Sequence, residues 1–140
     1  MGGNRVTQKK ILVVDDDPYM RLALEVRLKA SNYAVSCAGD GVAAIAETRN
    51  YMPDLIVLDL GLPAGDGFSV MERLKTNVSM SSIPVIVLSA SVRSANKERA
   101  LNAGATAYLQ KPVKSTQLLS IVRQALSEIE QPSVVYDLDS

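Results

Sequence analysis

Short runs of apolar residues alternate along this chain with longer stretches in which apolar positions recur every three or four residues. The short runs, at 11–14, 33–37, 55–58, 85–88 and 107–109, are rich in Val, Ile and Leu, and three of them show no polar alternation. Strands covered on both faces of a parallel sheet carry this pattern, whereas half-exposed strands alternate with a period of two. The longer stretches read as five helices. The first opens at Asp17-Pro18, where Asp caps and Pro suits the first helical position, and it places Met20, Leu24 and Leu28 on one face. The second runs over 42–50. The third starts near Asp66-Gly67 and carries Phe68, Met71 and Leu74. The fourth covers 95–102 and is stopped by Gly104. The fifth starts near Ser115, with Leu118, Leu119, Val122, Leu126 and Ile129 as its buried stripe.

Strand and helix thus alternate five times. That order predicts an α/β fold: one doubly wound (βα)5 domain with a parallel five-stranded sheet, helices on both faces and right-handed crossovers. The flavodoxin-like strand order 2-1-3-4-5 suits five strands and puts ligands at their carboxyl ends. Residues 10–130 form the expected domain, residues 1–9 a flexible N-terminal segment and residues 131–140 a C-terminal tail or linker.

Composition narrows the chemistry. Lys+Arg and Asp+Glu are each 15 in 140 residues, so no overall basic charge supports direct nucleic-acid binding. The apolar runs fall far short of the roughly 20 residues a spanning helix needs, and no signal-peptide pattern is present. A cytoplasmic protein without membrane attachment is the expectation. The single cysteine, Cys37, forms no intramolecular disulfide and reads as a small buried hydrophobe. Histidine is absent, which removes His-based acid–base catalysis, Ser-His-Asp triads and His metal sites.

Carboxylates, hydroxyls and lysine remain, and they gather at one edge of the expected sheet. Asp15, Asp16 and Asp17 end the first apolar run, Asp59 the third, Ser89 the fourth and Lys111 the fifth. Carboxylates packed together repel, and a hard divalent cation resolves that repulsion; Mg2+ takes oxygen ligands, including carboxylates, waters and phosphate oxygens. A carboxylate also serves as a nucleophile toward phosphorus. Phosphoryl transfer depends mainly on positioning and charge neutralisation, which Mg2+, Lys111 and the Ser89 hydroxyl supply. Read singly, Ser89 is a strand-end hydrogen-bonding group, Lys111 a solvated charge, Tyr108 static packing and Asp17 a helix cap. Their convergence on one edge favours a site.

The segments ILVVDDDP, DLIVLDLGLPAGDG, IPVIVLSA and GATAYLQKPV resemble, in order and spacing, the four signature segments of response-regulator receiver domains, over about residues 10–130. The resemblance implies a signalling switch of two-component systems that catalyses only its own phosphorylation and dephosphorylation. It implies Asp59 as phospho-acceptor, with Asp15, Asp16, Asp59 and the Gly61 backbone carbonyl as Mg2+ ligands. Lys111 is implied to contact the phosphoryl oxygens, Ser89 to be the switch hydroxyl and Tyr108 the aromatic that swings inward behind it, next to a Lys111-Pro112 bond that is often cis. The implied donor is a phosphohistidine on a sensor histidine kinase or a phosphotransfer protein. The implied readout is a changed face of helix four, strand five and helix five, presented to a downstream protein or to an output domain beyond this chain; a homodimer through that face is a further expectation. Gly61 departs from the family pattern, which more often has a side chain there, and suggests faster loss of the phosphoryl group.

Three other readings compete. Asp15 and Asp17 also form a D-x-D resembling the nucleophile motif of haloacid-dehalogenase-type phosphatases, but that reading leaves Asp59 unexplained and the chain has no room for a cap domain. A nucleotide or flavin binder lacks a G-x-G-x-x-G or P-loop string. A degenerate, partner-binding receiver would have lost key positions, and none is lost.

Overall fold

The computed structural model describes residues 8–62, 67–90 and 94–130, with the backbone alone over 128–130. Five strands and five helices alternate: β1 (Lys10–Val14), α1 (Pro18–Ala30), β2 (Ala34–Ala38), α2 (Gly41–Tyr51), β3 (Leu55–Asp59), α3 (Gly67–Thr76), β4 (Val85–Ser89), α4 (Ser94–Asn102), β5 (Ala107–Gln110) and α5 (Ser115–Glu130). The strands form one parallel sheet in the order β2-β1-β3-β4-β5, as expected.

The sheet divides two apolar layers. Leu12, Val14, Ile56, Leu58, Val85 and Val87 face α2, α3 and α4, meeting Ile45, Val70, Met71, Leu74 and Ala100. Their neighbours Ile11, Val13, Leu55, Val57, Ile86 and Leu88 face α1 and α5, meeting Leu24, Leu28, Leu118 and Val122. Alternate residues of each inner strand therefore point into opposite layers, which is why β1, β3 and β4 read as unbroken apolar runs. Each fully buried Leu or Ile contributes roughly 1.5–3 kcal/mol of transfer free energy.

Local signals set the helix ends. Asp17 caps α1 through a bond from the Tyr19 N–H to Oδ1 (2.9 Å), and Asp40 caps α2 through the Ala43 N–H (2.8 Å). At the end of α4, Gly104 adopts φ +106, and the N–H groups of Gly104 and Ala105 bond back to Leu101 and Ala100. This Schellman closure favours glycine at that position.

Two expectations are corrected in detail. Cys37 is half-buried, because β2 is an edge strand whose residues are only partly covered. In α5, Leu119 is partly buried, while Ala125 is buried and belongs to the stripe. The Ile129 side chain, Asp66 at the start of α3, and the segments 1–7 and 131–140 lie outside the described residues. Among the described residues, no helix is long and apolar enough to cross a membrane.

Candidate functional site

β1, β3, β4 and β5 end side by side, and parallel pairing carries their last residues to one edge. Past β1, the Asp15 N–H bonds to the Ala38 carbonyl (3.1 Å) and fixes the turn. Asp15 is buried, whereas its neighbour Asp16 is exposed. Asp59 closes β3 and is 6% exposed; Ser89 closes β4 and is 5% exposed. Lys111 follows β5, and its N–H donates to the Ser89 carbonyl (2.8 Å), locking the β4 and β5 ends together. The Lys111-Pro112 peptide bond is cis.

Asp15, Asp16 and Asp59 come together: one carboxylate oxygen from each lies within 4.8 Å of the others. The Lys111 ammonium stands between two of them, 3.2 Å from Asp15 Oδ2 and 3.3 Å from Asp59 Oδ1. Backbone donors hold the same carboxylates: the Asp17 N–H donates to Asp15 Oδ1 (2.9 Å) and the Gly61 N–H to Asp59 Oδ1 (3.1 Å). The Arg21 guanidinium donates to the Asp15 carbonyl (2.8 Å).

Burial pushes the Asp15 carboxyl above the usual carboxylate range; the Asp17 N–H opposes this, the Asp59 charge adds to it, and Lys111 opposes it. For Lys111, burial works against the charged form, yet the Asp59 and Asp15 carboxylates outweigh it and hold the ammonium above the ordinary lysine value. The donor set is all hard oxygen, concentrated, and short of positive charge, which fits a small divalent cation such as Mg2+.

Asp59, Gly61, Ser89 and Lys111 line a cavity of about 460 Å³ together with Phe68, Asn96 and Arg99. Tyr108, on β5, is half-buried against the α2–α4 layer. Asp17 stays outside the acidic cluster and caps α1, which withdraws the acid–base role that the D-x-D reading needs. In the sequence Phe68 reads only as part of the α3 apolar stripe, and nothing there singles out Asn96 or Arg99 of α4. No spacing in the sequence marks a helix residue as bordering a site formed by four strands.

Gly67 brings α3 against the end of β3. A Cβ there would lie 2.7 Å from Leu60 Cα and 3.0 Å from the Asp59 carbonyl oxygen. At Gly61 the contact is an ordinary one: among the described residues, the atoms nearest to a Cβ there would be those of the Asp59 carboxylate, at 3.6 Å.

Comparison with known proteins agrees with this geometry. The profile of the family described as "Response regulator receiver domain" matches residues 11–123. "Transcriptional regulatory protein KdpE" of Mycobacterium tuberculosis is 37% identical over 133 residues, covering 91% of this chain and 58% of that protein. A CheY-like receiver domain protein from Methanospirillum hungatei superposes with a TM-score of 0.84 at 28% identity, covering 90% of this chain and 99% of that one. The receiver domain of a sensor histidine kinase from Pseudomonas aeruginosa PAO1, whose structure has a magnesium ion coordinated in its active site cleft, has a TM-score of 0.80 at 29% identity and covers 86% of this chain and 99% of that one. The chain spans little more than half the length of its KdpE relative.

Proposed function

The chain belongs to the response regulator receiver domain family, a signalling module of two-component systems, and on that premise we propose that Asp59 is its phospho-acceptor. One observation carries the reading: Asp59 is held beside Asp15 and Asp16 within 4.8 Å and has the Lys111 ammonium 3.3 Å away. A nucleophilic carboxylate, a pair of metal-binding carboxylates and a cation are the parts that phosphoryl transfer to an aspartate requires.

In the proposed reaction, an Asp59 carboxylate oxygen forms a bond to phosphorus as the N–P bond of a partner's phosphohistidine breaks. The electron pair leaves with the imidazole, which takes up a proton. The donor is a sensor histidine kinase or a phosphotransfer protein, since this chain has no histidine. Asp15, Asp16, Asp59 and the Gly61 backbone carbonyl would hold Mg2+, which would supply charge neutralisation for the phosphoryl oxygens. The backbone N–H groups of Gly61 and Asp17 orient the carboxylates. Lys111 exchanges its carboxylate partners for phosphoryl oxygens.

The acyl phosphate carries more charge and more acceptor oxygens than the carboxylate it replaces. Ser89, which lines the same cavity, turns its hydroxyl toward it, and Tyr108 follows into the vacated space. The population shifts toward the state in which these contacts exist, and the face of α4, β5 and α5 changes. That face then engages a downstream protein, an output domain outside this chain or a second copy. The expected setting is the cytoplasm, with residues 10–130 as the receiver unit and 131–140 as tail or linker.

The direct test is transfer of labelled phosphoryl from a phosphohistidine protein. Wild type takes the label in the presence of Mg2+, and Asp59→Asn does not. Equal labelling of Asp59→Asn refutes the assignment.

A further inference from the structure

Arg99 is the feature of the cavity that the reaction above does not use. Its guanidinium carbon sits 3.8 Å from the centroid of the Phe68 ring. The pair lines the acceptor cavity together with Asp59, Ser89 and Lys111. It also lines a second cavity of about 340 Å³ between α3 and α4, with Ser69, Glu72, Lys75 and Thr76. The Arg99–Phe68 stack is therefore the wall shared by the two spaces. Among the described residues lining the acceptor cavity, Lys111 and Arg99 are the two cations.

Charge balance gives Arg99 a role. With a divalent cation bound, three carboxylates face two positive charges from the metal and one from Lys111. Converting the Asp59 carboxylate to an acyl phosphate adds up to about one further negative charge. The Lys111 charge is already counted in this balance whichever oxygens it contacts, so the added charge calls for a further cation. A guanidinium held by its face on an aromatic ring keeps its N–H edge available and matches a phosphoryl group with two parallel hydrogen bonds. Gly61 itself puts no side chain on the flank beside Asp59, where a Cβ would stand 3.6 Å from the carboxylate.

We propose that Arg99 is a second phosphoryl-binding cation, which rests on Phe68 in the unmodified protein and moves onto the phosphoryl oxygens when Asp59 is modified. The proposal rests on Asp59 being the acceptor. Its structural consequence is that the Phe68 ring is uncovered in the α3–α4 cavity, so phosphorylation is felt there as well as at α4, β5 and α5.

Beryllofluoride, a non-covalent acyl-phosphate mimic, added with Mg2+ to the whole chain provides the test. The Arg99 Nε–Hε NMR resonance, assigned by its loss in Arg99→Lys, carries a ring-current shift that Phe68→Leu abolishes. Beryllofluoride removes that shift in wild type. Arg99→Ala weakens beryllofluoride binding by roughly five- to tenfold, the effect of losing a charge-assisted hydrogen bond at a partly exposed site, and still melts cooperatively as a folded protein. If wild type binds beryllofluoride with the Arg99 resonance unmoved, or if Arg99→Ala binds it equally well, the proposal is overturned while the acceptor assignment stands. If wild type takes neither beryllofluoride nor a phosphoryl group, the acceptor assignment fails and the Arg99 role falls with it.

Discussion

The Lys111 ammonium lies 3.3 Å from Asp59 Oδ1 while it donates to Asp15 Oδ2 at 3.2 Å, so one cation sits between two buried carboxylates. Removing it leaves like charges facing each other with little water to screen them. Lys111→Met is expected to cost the metal-free protein about 2 kcal/mol, the penalty for uncompensated charge at a largely buried site. The same variant binds Mg2+ several-fold more tightly, because the metal no longer competes with the ammonium. Thermal melts with and without Mg2+ check both effects: the stability gap to wild type narrows as Mg2+ is added. A gap independent of Mg2+ goes against the shared-charge account.

Asp15 gives a pH dependence of known sign. Burial raises its folded-state pKa above the unfolded value, so the folded state binds the proton more tightly. The resulting stabilisation is fully present below the unfolded carboxylate pKa and is lost as pH rises through the folded value. Metal-free wild type therefore weakens with rising pH across that window. Asp15→Asn shows a smaller loss and at neutral pH is more stable by roughly 0.5–2 kcal/mol, a common size for substitutions that relieve a functional site. It also loses Mg2+ affinity. Denaturant melts over a pH series, run without metal, measure this, and identical pH slopes for the two proteins would falsify it.

Gly67 has no room for a side chain. Gly67→Ala forces α3 away from the end of β3, since its Cβ would lie 2.7 Å from backbone. The expected cost is roughly 1–3 kcal/mol, as for overpacking elsewhere. Because the Asp59 carbonyl is among the atoms displaced, phosphoryl acceptance slows as well. Urea unfolding and a labelling time course check the two effects.

Gly61 is the opposite case, because a side chain fits there and would stand next to the Asp59 carboxylate. Gly61→Met is expected to cover that flank and slow loss of the phosphoryl group several-fold, with little effect on folding. The decay of the phosphorylated form reports the result, and a variant that decays as fast as wild type contradicts it.

Much of this arrangement was legible in the chain because a parallel sheet imposes it. The unbroken apolar runs of β1, β3 and β4 announce strands covered on both faces, and the polar residue after each run must lie on the common edge. The position of Asp15, Asp59, Ser89 and Lys111 at that edge is therefore legible without coordinates. The difference between adjacent Asp15, buried, and Asp16, exposed, was not legible, since it depends on how the chain turns after β1. Cys37 misled because an edge strand carries the same residue types as a central one. Phe68 and Arg99 were missed for another reason. Their place beside the site depends on the packing of α3 and α4 over the strand ends, and helix periodicity reports only which face is apolar.

The acceptor assignment is tested most directly by intact mass after incubation with Mg2+ and a small acyl phosphate donor, comparing wild type with Asp59→Asn. The account predicts a gain of one phosphoryl group in wild type that needs Mg2+ and is absent from the variant. The same adduct on Asp59→Asn, or neither an adduct nor phosphate release above the donor's own hydrolysis with wild type, would contradict it.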